Sequence, residues 1–178
     1  ILNFMKKMLI ALFIFMTVGC SSPGKPGLFY EWTQYKTGVK VEVVSMPKWK
    51  GGVDAILRLQ DEGKYASMVI YNGGNVESHF GYVTKENVQT WIDLYQGFLT
   101  WEPKDVTQKV KFTIEDNVSL FGKNIYEVEY SVKNSRKLFL MNHYNAHYFI
   151  FDYTNQAVDE ENVKRLLDIY LGLRNTLK

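Results

Sequence analysis

The sequence predicts an α+β protein, with a largely antiparallel sheet or sheets carrying two amphipathic helices. Three observations lead there. From Val39 onward, run after run alternates apolar and polar residues with period two, as half-buried strands do. The breaks between runs carry Gly, Asn and Asp, which suit tight strand connections, so consecutive antiparallel pairing is the economical arrangement. Two segments, beginning near Val83 and Val158, switch to helical spacing.

Taken in chain order, the first element is not part of that domain. Met5-Lys6-Lys7 leads into an apolar run from Met8 to Val18 and then Gly19-Cys20-Ser21-Ser22. The lysines hold the start on the cytoplasmic side, and the apolar run is too short for a stable span. A core helix would need a polar face, yet only Thr17 is polar in that run. Thr17-Val18-Gly19-Cys20 resembles the lipobox of bacterial lipoproteins, usually Leu-Ala-Gly-Cys, and departs from it at Thr17. The resemblance implies a signal peptide over 1–19, cleavage before Cys20 and acylation of Cys20, with 1–4 lying upstream of the true start. A lone cysteine in an exported chain has no internal disulfide partner, and several buried acyl chains anchor stably where one would not. Residues 20–28 are then the lipidated cysteine and a short linker. Its seven residues Ser21–Gly27 reach at most roughly 25 Å, which keeps the domain close to its membrane. In a Gram-negative cell, Ser21 after the lipidated cysteine implies an outer-membrane protein facing the periplasm.

Residues 29–178 follow as a single α+β domain. Val39, Val41 and Val43 alternate with Lys40 and Glu42, and Val53, Ala55, Leu57 and Leu59 alternate up to Asp61-Glu62-Gly63. Lys64–Tyr71 runs to Asn72-Gly73-Gly74-Asn75, and Val76–Val83 follows. Further strands are expected over Val110–Glu115, Ile125–Val132, Lys137–Tyr144 and His147–Tyr153. Val83-Thr-Lys-Glu-Asn-Val88 and Val158-Asp-Glu-Glu-Asn-Val163 open the helices. Thr84 and Asp159 serve as caps and the valine pairs as hydrophobic staples. Val88, Trp91, Ile92 and Tyr95 form one apolar stripe; Val163, Leu166, Leu167 and Tyr170 form the other.

The same offset pairs Asp93 with Asp168, Tyr95 with Tyr170 and Gly97 with Gly172. Two accounts fit: a duplicated ββββα unit with halves 37–100 and 107–178, or convergence, because every amphipathic helix needs caps and a stripe. From Asn124-Ile-Tyr-Glu-Val-Glu-Tyr-Ser-Val132 through Tyr148-Phe-Ile-Phe151 into the last helix, the order of elements resembles PsbP-like domains, which implies a non-enzymatic fold that binds proteins or assists assembly. A tandem-unit inhibitor architecture, as in the β-lactamase inhibitor proteins, suits the duplication account as well.

Removing Lys6 and Lys7 from the 21 basic residues leaves 19 against 19 acidic. That balance lacks the basic footprint of a nucleic-acid binder, so no nucleic acid is expected as partner. Catalytic groupings are scarce. The imidazoles are His79, His143 and His147, and no phosphate-cradling loop, Gly-x-Ser-x-Gly or His-Glu-x-x-His is present. His143 and His147 could meet across a hairpin as metal ligands, but the plainer reading is two histidines on adjacent strands, so no metal and no cofactor are expected. Glu127 and Glu129 alternate with Tyr126, Val128, Tyr130 and Val132, which reads as a solvated strand face.

Aromatic content is high, with 12 Tyr, 11 Phe and 4 Trp, of which Tyr126, Tyr130, Phe149 and Phe151 suit cross-strand packing. Trp49 sits between lysines in a Pro- and Gly-bounded loop, and Trp32, Met46 and Trp49 are the expected partner contacts. The functional expectation is a membrane-anchored envelope lipoprotein, held by lipid on Cys20, acting as a non-catalytic protein-binding or assembly module for another envelope protein. The alternatives are an immunity or inhibitor lipoprotein against a toxin or hydrolase, and a small apolar-ligand carrier or envelope hydrolase with a pocket at Tyr95 and Tyr170.

Overall fold

The computed structural model describes residues 32–43, 52–71, 77–105, 110–116, 124–145 and 154–178. The elements are β1 (Trp32–Val43), β2 (Val53–Gln60), β3 (Tyr65–Tyr71), β4 (Glu77–Val83), α1 (Val88–Thr100), β5 (Val110–Asp116), β6 (Asn124–Lys133), β7 (Arg136–Asn145), β8 (Thr154–Asp159) and α2 (Glu160–Thr176). All eight strands join one antiparallel sheet in the order β4-β3-β2-β1-β8-β7-β6-β5.

This corrects the expected α+β class. The molecule is a sheet-dominated fold, one wide antiparallel sheet of eight strands with two helices, although the strands and helices do follow in the order ββββα, ββββα. The reason is a non-local pairing that alternation alone does not encode. Glu42 lies opposite Ala157 and Val43 opposite Gln156, so the two meanders fuse edge to edge. That seam is short, and side chains reinforce it. Asn162 Oδ1 accepts from the Lys40 N–H at 2.7 Å, Arg165 donates to the Gly38 carbonyl at 2.8 Å, and Arg136 on β7 reaches Glu42 at 2.7 Å and Asp159 at 3.5 Å. The Glu42 hydrogen bond, against some desolvation, raises the Arg136 pKa further.

Two strands depart from the alternation. β1 begins at Trp32, ahead of the expected Val39, and its pairing with β2 shifts between Lys36 and Lys40, where Gly38 takes φ +70°. The shift adds two residues to β1, so the faces stay in phase across it, but Trp32–Lys36 carries no apolar period of its own to mark it as strand. β8 occupies Thr154–Asp159, where the sequence offered only the start of a helix; the strand expected at His147–Tyr153 lies outside the described residues.

The helices lie on one face, over Val39, Val41, Ala55, Met68, Ile70, Val128, Phe139 and Met141. α2 starts as its sequence implies: Asp159 accepts from the Asn162 N–H at 3.0 Å. α1 does not use Thr84 as its cap. The chain first turns, with Asn87 Oδ1 accepting from the Thr84 N–H at 2.8 Å and Asn87 Nδ2 donating to the Tyr82 carbonyl at 3.0 Å, and the helix begins at Val88. β4 crosses close to α1 at Gly81, where a Cβ would sit 2.5 Å from the Trp91 ring.

Candidate functional site

On β1, Trp32, Gln34 and Lys36 share the sheet face turned away from the helices, and the register places Trp32 opposite Gln60 and Gln34 opposite Arg58. Arg58 is 4% exposed, and its guanidinium carbon stands 4.4 Å from the centre of the Trp32 ring. Arg58 also donates to the Tyr71 hydroxyl at 3.3 Å. With the Gln34 amide oxygen turned inward, it accepts from Trp32 Nε1 at 3.0 Å and from Arg58 at 3.1 Å. A buried guanidinium is costly unless several groups receive it, and here a π face, a hydroxyl and an amide do so. The consequence is mechanical: Trp32 is half exposed, yet its ring is fixed from beneath.

Tyr35, on the opposite face of the same strand, is also half exposed. Beside it a groove of about 440 Å³ is lined by Trp32, Thr33, Tyr35, Leu59, Glu62 and Thr176. The stretch from Trp32 to Lys36 pairs with β2 on one side. On its other side β8 pairs only as far as Glu42 and Val43, and among the described residues no strand continues alongside. An open strand edge bearing fixed aromatics offers backbone hydrogen bonds together with apolar contact, the two ingredients of strand-addition recognition.

The other candidates separate from this site. His143 is buried, stacked on Tyr126 with ring centres 4.7 Å apart and planes 14° off parallel, and its Nε2 lies 3.3 Å from Asn124 Oδ1. No group of three or more His, Cys, Asp or Glu suited to a metal occurs among the described residues. Cys20, Met46, Trp49 and His147 lie outside the described residues.

Tyr95 and Tyr170 are fully buried and meet edge to face with ring centres 5.0 Å apart, and Trp91 and Phe139 pack around them. Side chains therefore fill the space expected to form an apolar-ligand pocket at these tyrosines. Burial pushes the pKa of both phenols well up, as it does that of Tyr130, to about 12. These groups stay neutral and structural.

Sequence reasoning missed Arg58, Gln34 and Tyr71. Alternation correctly turns Arg58 away from Ala55, Leu57 and Leu59, but nothing in one strand's pattern says that the outward face is itself buried there. The nearest signal was a lone arginine in the otherwise apolar stretch Ala55–Leu59, one strand away from Tyr30-Glu-Trp-Thr-Gln-Tyr35.

The architecture and this edge define a class only in structural terms: a single-sheet protein with an aromatic open strand. No family model matches the chain, and no curated protein matches it. Among solved structures, a crystal structure of WHY1 from Arabidopsis thaliana is similar at a TM-score of 0.36 with 10% sequence identity, covering 85% of this chain and 87% of that one, too distant a likeness to carry an argument.

Proposed function

We propose that this protein is a lipid-anchored envelope protein that binds a protein partner through the Trp32–Lys36 stretch of β1 and carries out no chemistry of its own. The anchoring half rests on the lipobox-like Thr17-Val18-Gly19-Cys20 and its preceding apolar run, with acylated Cys20 holding the domain at the membrane, on the periplasmic side of the outer membrane in a Gram-negative cell. The binding half rests on one observation: an exposed tryptophan braced by a buried arginine on a strand edge with no neighbour among the described residues. Interface hot spots favour such rigid aromatic and arginine anchors, because little side-chain entropy remains to be lost on binding.

The test has two arms. Labelled palmitate should enter the full chain in cells and be lost with Cys20→Ser. A photocrosslinker at position 35 should capture one envelope protein stoichiometrically, and Trp32→Ala should reduce that capture at least about tenfold, in line with loss of a hot spot. Label retained by the Cys20→Ser chain sinks the anchor; capture indifferent to Trp32→Ala sinks the surface.

A further inference from the structure

We infer that β5 is a self-association edge, through which two copies of this chain join their sheets across a two-fold axis at Thr113. The two ends of the sheet differ in a way that points there. At the β4 end, pairing with β3 shifts register between Ser67 and Val69 and Gly81 takes φ +86°, irregularities that blunt an edge against further pairing. At the β5 end, every residue from Val110 to Asp116 pairs with β6 without a shift, leaving a straight terminal strand among the described residues.

The sequence of that strand, Val-Lys-Phe-Thr-Ile-Glu-Asp, is complementary to itself when reversed. Antiparallel pairing centred on Thr113 sets Lys111 opposite Glu115 of the second copy twice over, and Phe112 opposite Ile114 on the helix-bearing face. Moving the centre to Ile114 removes both charge pairs, while centring on Phe112 replaces them only by Glu115 opposite Lys109, which lies before the strand. Because 111 and 115, like 112 and 114, differ by an even number, this arrangement keeps the helices of both copies on the same side of the joined sheet. Lys111 is available, since its side chain is 75% exposed and reaches its own Glu129 only at 3.7 Å.

The apolar surface agrees. Phe112 is 39% exposed, although its ring lies 5.1 Å from that of Tyr130. Between α1 and this strand runs a groove of about 480 Å³ lined by Leu94, Gly97, Trp101, Val110, Phe112 and Tyr130. A second copy would bring an identical groove against it and cover both phenylalanines, which is the self-complementary contact that two-fold symmetry requires.

The experiment uses the full chain solubilised in detergent. Light scattering should give a dimer. Directly opposed residues in an antiparallel pair have Cα atoms about 4.5–5.5 Å apart, within disulfide reach, so Thr113→Cys should crosslink nearly completely on mild oxidation. Asp168→Cys, on the exposed side of α2, should remain at the wild-type level. Glu115→Lys should weaken the dimer about tenfold by opposing like charges, and adding Lys111→Glu should recover most of the loss, which a folding defect would not do. A monomer at every reachable concentration, equal crosslinking at 113 and 168, or no recovery in the double swap each overturns the inference.

Discussion

α1 and α2 begin with nearly the same sequence and do different work. Asn87 and Asn162 occupy the corresponding place just before Val88 and Val163. Asn87 closes a local turn, accepting from Thr84 and donating to the Tyr82 carbonyl. Asn162 donates to Asp159 and accepts from Lys40, 122 residues away, across the seam that fuses the two meanders. Equal patterns fix which stripe each helix buries, but not where it starts, since α2 begins at Glu160 and α1 three positions later in the shared pattern, at Val88. They do not fix what the polar residue of the first turn holds, because that depends on what the fold brings near it.

The strongest way to test the pairing of the helices is at the tyrosines where they meet. Tyr95→Ala and Tyr170→Ala should each cost about 3–5 kcal/mol in urea unfolding, as for other large buried aromatics. The double variant should lose less than the sum by about 0.5–1.5 kcal/mol, because each ring is packed on the other. Strict additivity would mean that the helices meet elsewhere.

Next in size is the asparagine pair itself. Asn162→Ala leaves the Lys40 N–H without its acceptor, and losing a half-buried partner of this kind costs about 1–3 kcal/mol. Asn87→Ala should cost a similar amount, but the two should differ in where exchange accelerates. Amide hydrogen exchange should rise across β1 and β8 for Asn162→Ala, and only around Tyr82–Val88 for Asn87→Ala. The same pattern for both would erase the distinction drawn here.

What could be read in advance follows the same line. The β2 strand was legible because Ala55, Leu57 and Leu59 recur at every second position up to Asp61-Glu62-Gly63, and β3 because Tyr65–Tyr71 is a nearly continuous apolar run, buried on both faces, that closes at Asn72-Gly73-Gly74. Trp32–Lys36 was not read as strand because Thr33 and Tyr35 on the helix-bearing side alternate with Trp32, Gln34 and Lys36 on the other, which gives no apolar period. β8 hid because Gln156, a polar residue 1% exposed, stands on the helix-bearing face opposite Val43 and Met141, so the strand shows no apolar period. The α+β reading failed at the seam, where the deciding pairs join positions more than 110 residues apart. In the site, Trp32 could be singled out from composition, whereas Arg58 acquires its meaning only from the cross-strand register.

Acid separates the two helix starts further. Burial raises the Asp159 pKa, but the Asn162 backbone and side-chain N–H groups and Arg136 outweigh it, so the folded carboxyl sits below the usual aspartate range. A depressed folded pKa stabilises above the unfolded value and is lost as pH falls through the folded one, so α2 should loosen at acid pH; the turn before α1 keeps its Asn87 bonds and loses only the Thr84 hydrogen bond that holds down the pKa of the exposed Glu86 carboxyl. Asp159→Asn should remove that part of the acid dependence, followed as unfolding midpoint against pH; an unchanged profile would assign the cap no share in it. At neutral pH, Asp159→Ala should cost about 1 kcal/mol.

The smallest effect is the one with opposite signs. Gly97 and Gly172 correspond along the two helices, but a Cβ at 97 would stand 3.0 Å from the Tyr130 hydroxyl, and one at 172 would meet nothing within 4 Å. That hydroxyl has no room to yield, because it donates to the Leu94 carbonyl of α1 at 2.6 Å and its ring lies against Phe98 and Phe139. Gly97→Ala should therefore destabilise, despite the better helix propensity of alanine, and relaxing Tyr130 with Tyr130→Phe should reverse much of the loss. Gly172→Ala should stabilise by about 0.5–1 kcal/mol through reduced freedom of the unfolded chain. Two alanines of the same sign would place both glycines in open helix, and Gly97 would no longer explain how closely α1 approaches β6.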